Sequence, residues 1–375
     1  MGLFIIKFFL TSIIFSLITG FALVKINTLS SINKPHKSNW FDGSGEKVGN
    51  LELMLYSLGL GPVFTVLILY YLLLVIHGLP NNFYLAAVFL VYLVLLAWGR
   101  KSIPLLLRGL RAKFRTAWMA GKRKRWGHIL YFSFLLALLA AFIYLYLGSI
   151  LKVPIADHDT LVHGNIGKMY YMEKAVKYSD NMFNSIDGFF FIGSPKPSFS
   201  LLLTWEMIMN RSFAGGNDLS FDMYFRSISV YYGLLILLVV FYWLYKKNRY
   251  LALLGILVLF SGLKFFQLFI SYHLDSYRLF FLILSWIFLA YSLKNREPLA
   301  FFLLGVFSGF TAFTHLIGLL VALVNGLAFF IFQEAPFKER LLKSLTLGLV
   351  MVLFGGIHYI LEALWGARFG FLTYF

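Results

Sequence analysis

The chain has no cysteine, which excludes disulfides and thiolate metal sites. Charge is scarce. Only 13% of residues are Asp, Glu, Lys or Arg, against roughly a quarter in soluble globular domains. Strict apolar–polar alternation is missing, which argues against a β-barrel. The first apolar run, Leu3–Val24, lacks a basic start beyond Lys7 and lacks a small-residue cleavage pattern. It therefore reads as a retained span rather than a signal peptide. No internal repeat is visible. Acids are absent from Arg100–Arg125 and almost absent from the apolar runs, where Lys264 is the main charged exception.

What remains is 60% hydrophobic, with 42 Phe and 22 Tyr. Apolar runs of bilayer length make this an integral membrane protein built of helices. The net charge of +17 does not indicate nucleic-acid binding. The basic residues concentrate at Arg100, Lys101, Arg108, Arg111, Lys113, Arg115 and Lys122–Arg125. That block marks a cytoplasmic loop and a contact for anionic lipid.

Placing Arg100–Arg125 inside orients the other runs. Spans are predicted at Leu3–Val24, Leu51–Ile76, Phe83–Trp98, His128–Leu151, Ser229–Tyr245, Tyr250–Ile270, Leu279–Ser292 and Leu345–Ile360. Leu299–Phe332 is too long for one span. Its interruption at Phe313-Thr314-His315 predicts two short helices meeting at an outer turn. The expected fold is all-α, with about ten transmembrane helices. Residues 1–50 form an N-terminal span and inside segment, and residues 51–375 the main transmembrane domain. An outer loop, residues 152–226, holds eight of the 16 acids. Within it, apolar spacing from Thr160 to Tyr178 and again over Phe199–Met209 predicts two amphipathic surface helices.

The loop opens on Asp157-His158-Asp159-Thr160-Leu161-Val162-His163. Two carboxylates and two imidazoles at a membrane surface are costly unless solvated or paired. The plainest account is a helix start capped by Asp159. A later outer turn reads His273-Leu274-Asp275-Ser276-Tyr277-Arg278, and a Gly-rich stretch runs from Gly305 through His315 to Leu319.

The order and sidedness of these three motifs resemble the GT-C glycosyltransferases, over about Leu51 to the end. Those are multi-span enzymes that use polyprenyl-phosphate-linked sugars, and they include the protein O-mannosyltransferase and aminoarabinose transferase branches. The family usually continues with further spans and often a soluble domain, and often carries a basic residue where His315 stands. The resemblance implies an outer-face reaction at the plasma (inner) membrane, with an Asp of the first outer loop as base. Asp159 is the first choice and Asp157 the second. Asp275 is either a second active-site acid or an ordinary i,i+3 partner of Arg278. His163, Lys168, His273, Arg278 and His315 are candidate substrate-binding residues. Arg278, Lys168 and Arg226 could meet the donor phosphate or be interfacial snorkelling side chains. His315 could equally be a satisfied histidine between packed helices. The Asp157–Asp159 spacing suits Mg or Mn, and the sequence leaves open whether a metal is used. The competing class is a transporter or structural subunit without covalent chemistry, which ionisable residues inside the bundle would favour.

Overall fold

The computed structural model describes residues 2–32, 50–104, 158–176, 196–214, 222–262, 274–295 and 298–364, with shorter helical pieces between 106 and 144. Every regular element among the described residues is a helix. In chain order these are α1 (Gly2–Ile32), α2 (Asn50–Ser57), α3 (Leu60–Val75), α4 (Asn81–Gly99), α5 (His158–Glu173), α6 (Pro197–Ala214) and α7 (Asp222–Lys247). They continue as α8 (Arg249–Ser261), α9 (Asp275–Asn295), α10 (Pro298–Thr314), α11 (Leu316–Phe332), α12 (Phe337–Met351) and α13 (Ile357–Leu364). Among the described residues, five stretches are long and apolar enough to cross a membrane: Lys7–Thr28, Asn81–Ser102, Ile228–Lys247, Asp275–Lys294 and Phe337–Leu364. The chain is a multi-pass, membrane-embedded helical protein. The remaining apolar helices are shorter, α10 and α11 having 17 residues each. At 1.5 Å per residue each is about 26 Å long. The predicted break between them falls at His315.

The bundle is organised around α10. From Leu303 to Thr314 every residue is buried, and α9, α11, α12 and α6 all pack against it. Inside this low-dielectric core polar groups must be paired. Asn325 of α11 donates to Ser285 of α9 at 3.1 Å and to Ser308 of α10 at 2.9 Å, tying three helices together. The opposite face of α11 exposes Ile317, Leu320, Val324, Leu327 and Ile331. That spacing is a helix stripe turned toward lipid.

At the far end of α9 from Asp275, Glu52 of α2 is buried. Its carboxylate accepts from Tyr56 at 2.6 Å, from Tyr291 and from Lys246 at 2.6 Å. Between α12 and α13 the helix kinks at Phe354–Gly355, with Gly355 at φ 153°. A Cβ there would lie 2.4 Å from the Gly309 carbonyl oxygen, so only glycine fits the turn and the contact. The kink carries α13 across the end of α10.

The expected single span Leu51–Ile76 is two helices, α2 and α3, and α6 also departs from expectation. α6 is not a surface helix: every residue from Pro197 to Asn210 is buried. α6 packs against α5 on one side and against α3 and α4 on the other. The apolar spacing of Phe199–Met209 looks amphipathic because Ser198, Ser200, Thr204, Glu206 and Asn210 punctuate it. Several of these groups are satisfied internally. Thr204 donates to the carbonyls of Ser200 and Gly167, and Asn210 donates to the carbonyl of Glu206. By contrast, α5 does expose one face, at Lys168, Met172 and Glu173.

Candidate functional site

The start of α9 and the α10–α11 break face each other across a cavity of about 290 Å³. Its polar lining is Asp275, Arg278, Thr311, Thr314 and His315. Asp275 sits in the first turn of α9, where a carboxylate complements the helix dipole. Arg278, one turn on, donates to Asp275 Oδ1 at 3.0 Å. The i,i+3 pair is therefore present, and the same pair lines the cavity.

His315 is extended and caps α11, its Nδ1 accepting from the Ile317 N–H at 3.1 Å. With Nδ1 acting as acceptor, a neutral ring carries its proton on Nε2. The hydroxyls of Thr311 and Thr314 donate to the carbonyls of Phe307 and Thr311, each at 2.6 Å. Their oxygens are left as acceptors. Arg278 and His315 thus bring donors, and the threonines and Asp275 bring acceptors.

His163 lies behind this wall. It is 6% exposed, its Nδ1 is 3.0 Å from Ser200 Oγ on α6, and its ring meets Phe199 edge-on. Burial first, then the charges of Arg278 and His315, push its pKa down to about 3. His163 is therefore a neutral imidazole near physiological pH, and it lies within electrostatic range of two cavity residues. Asp159 occupies α5 one helical turn before His163, so the two positions share a helix face. Asp157, His273 and the side chain of Asp159 lie outside the described residues, as does Lys264. Lys168 is on the exposed face of α5 and does not line the cavity.

No protein-family model, curated protein or solved structure matches this chain.

A second polar cluster adjoins the cavity wall. Lys196, just before α6, donates to Glu362 Oε2 of α13 at 2.7 Å. The other Glu362 oxygen is 3.1 Å from His358 Nε2. All three side chains are buried. Burial holds the Lys196 ammonium below its ordinary range, against the pull of Glu362. Lys196 also lies 4.4 Å from the centre of the Tyr359 ring. The Tyr359 hydroxyl bonds the carbonyls of Ala312 at 2.8 Å and His315 at 3.2 Å. The cluster is thereby joined to the helix break that presents His315.

Sequence reasoning missed this cluster. The one signal was the i,i+4 spacing of His358 and Glu362 at the end of the last apolar run. Though acids are almost absent from the apolar runs, three of the described ones are buried in the bundle. Glu52, Glu206 and Glu362 are all buried. Glu52 and Glu362 are tolerated because each meets a lysine. Among the described residues no group of three or more His, Asp or Glu is arranged to hold a metal ion. The Asp157–Asp159 pair is not among the side chains so described.

Proposed function

We propose that the protein transfers a sugar from a polyprenyl-phosphate-linked donor to an acceptor at the outer face of the membrane, in the manner of a GT-C glycosyltransferase. The observation that carries this reading is the convergence of Asp275, Arg278 and His315 on one cavity, with His163 directly behind. Those residues come from three separate parts of the chain. A phosphate at the cavity would meet the Arg278 guanidinium and the His315 Nε2–H. Asp159, on the helix that carries His163, would take the acceptor's proton as it attacks the sugar. The polyprenyl phosphate would leave with its charge stabilised by Arg278. The reading includes about ten spans, residues 152–226 on the outer face of the plasma (inner) membrane, and Arg100–Arg125 against anionic lipid inside.

A non-catalytic transporter is the second reading. The buried Lys196–Glu362–His358 cluster favours it, because ionisable groups inside a helical bundle mark ion and proton paths.

Transfer of labelled sugar from a polyprenyl phosphate donor, measured in membranes carrying each variant, tests the first reading. Asp159→Asn should lower transfer by about 10²-fold or more at unchanged expression. Asp157→Asn should cost less, unless one cation bridges both carboxylates. Asp275→Asn should weaken transfer by releasing Arg278. Full activity in both Asp157→Asn and Asp159→Asn would remove this loop from the chemistry.

A further inference from the structure

Glu206 is a buried acid that the proposed reaction does not use. It sits in the middle of α6, with relative exposure of 0%. Among the described residues neither carboxyl oxygen has a hydrogen-bond partner. One turn further along the same helix, Asn210 is also buried, and its Oδ1 likewise has no partner. One N–H of the Asn210 amide donates to the Glu206 main-chain carbonyl at 2.9 Å. Two side chains four residues apart on a helix are neighbours. Here three acceptor oxygens, two of Glu206 and one of Asn210, are unpaired in a core where an unmade hydrogen bond is costly.

One added proton lets Glu206 donate to Asn210 Oδ1, because a protonated carboxyl is a donor as well as an acceptor. A metal ion does not fit as well. Calcium takes six to eight oxygens and magnesium demands an octahedron, whereas only two side chains converge here. The other buried glutamates differ in kind, each being paired with a lysine. Among the described side chains, the titratable groups on the neighbours of α6 are His163, Lys168, Tyr170, Tyr171 and Glu173 on α5, Tyr231, Tyr232, Tyr242, Tyr245, Lys246 and Lys247 on α7, and the tyrosines of α3 and α4; α10 brings none. The lysines among them, Lys168 on the exposed face of α5 and Lys246 and Lys247 at the end of α7, do not bond Glu206. Burial alone acts on the Glu206 carboxyl and pushes it well above the ordinary carboxylate range.

We propose that Glu206 is a proton-binding site, held in its acid form inside the bundle, whose proton is shared with Asn210 Oδ1. Proton release would leave a bare carboxylate between α6 and its neighbours. The site stands independently of the sugar-transfer reading.

Infrared spectra of the full chain in lipid vesicles test this, comparing wild type with E206Q. The wild type should show the C=O band of a protonated carboxyl at neutral pH, and E206Q should lack it. Thermal stability follows with a definite sign. Since folding raises the acid's pKa, stability is fully present at low pH and is lost as pH rises through the folded-state value. The unfolding midpoint of the wild type should therefore begin to fall as pH rises above the ordinary carboxylate value of 4.5 and go on falling toward the folded-state value, and that fall should be absent in E206Q. E206L offers a second replacement, because a neutral acid loses no ion pair when an apolar side chain takes its place. Failure of both variants to fold would overturn the proposal. So would an unchanged carboxyl band in either variant. Stabilisation of the wild type by sodium or calcium over matched choline chloride, with no protonated band, would identify a metal ion as the occupant and also overturn it.

Discussion

His163 illustrates how position sets chemistry at the scale of one side chain. Buried against Ser200, with the charge of Arg278 nearby, it keeps its neutral form down to a pKa of about 3. It therefore cannot be the group whose titration shapes activity near neutral pH. It does carry an acid liability. The unfolded chain binds a proton at this residue from about pH 6.5 downward, so stability is complete above that value and falls as pH drops toward 3. At about pH 5 the loss amounts to roughly 2 kcal/mol. Thermal unfolding of wild type and His163→Gln across this range should show a shallower acid dependence in the variant, and identical slopes would contradict the assignment. The Asp275–Arg278 pair was legible in the sequence because i,i+3 spacing fixes it locally. Its convergence with His315 was expected only through a family resemblance, since no local rule joins residues 278 and 315. The Lys196–Glu362 pair spans 166 positions and left no trace in the pattern.

Among the elements, α6 departs most from its sequence pattern. Polar residues spaced along it suggest a helix lying on a surface. Several of them are instead absorbed by back-bonding within the helix and by the close approach of α5 at Gly167, where a Cβ would lie 2.9 Å from the Ser200 carbonyl oxygen. The break at His315 was legible, because Thr-His between two apolar runs supplies an N-cap. The kink at Gly355 was not, because its cause is the contact with Gly309 on another helix. That kink lets α13 bring Glu362 to Lys196, and the ion pair fastens the beginning of α6 to α13. Lys196→Met should strand a buried carboxylate and cost about 3–5 kcal/mol. The double variant Lys196→Met/Glu362→Leu should recover much of that loss, because it removes both charges. Unfolding midpoints of the two singles and the double form the test, and additive losses would mean that the two side chains do not act as a pair.

At the scale of the whole molecule, hydrophobic run length identified a multi-pass helical protein, since bilayer thickness dictates the length of a span. It also marked the helices too short to span at full tilt-free length, without indicating how they stack around α10. Sidedness rests on the basic block Arg100–Arg125 and the alternation of charged turns. The chain has no cysteine, so single cysteines can report it directly. An impermeant maleimide applied to intact cells should label cysteines within residues 152–226 and spare those within 100–125. The reverse pattern would invert the molecule and move the cavity to the cytoplasmic side. The central claim is that the Asp275–Arg278–His315 cavity receives the phosphate of a lipid-linked sugar beside the Asp157–His163 stretch. The most direct measurement is an experimental structure in lipid with a polyprenyl-phosphate sugar added. Density for the phosphate within hydrogen-bond distance of Arg278 and His315, with the sugar turned toward Asp159, is the predicted result. Donor lipid bound elsewhere on the bundle, with this cavity holding only water, would contradict the account.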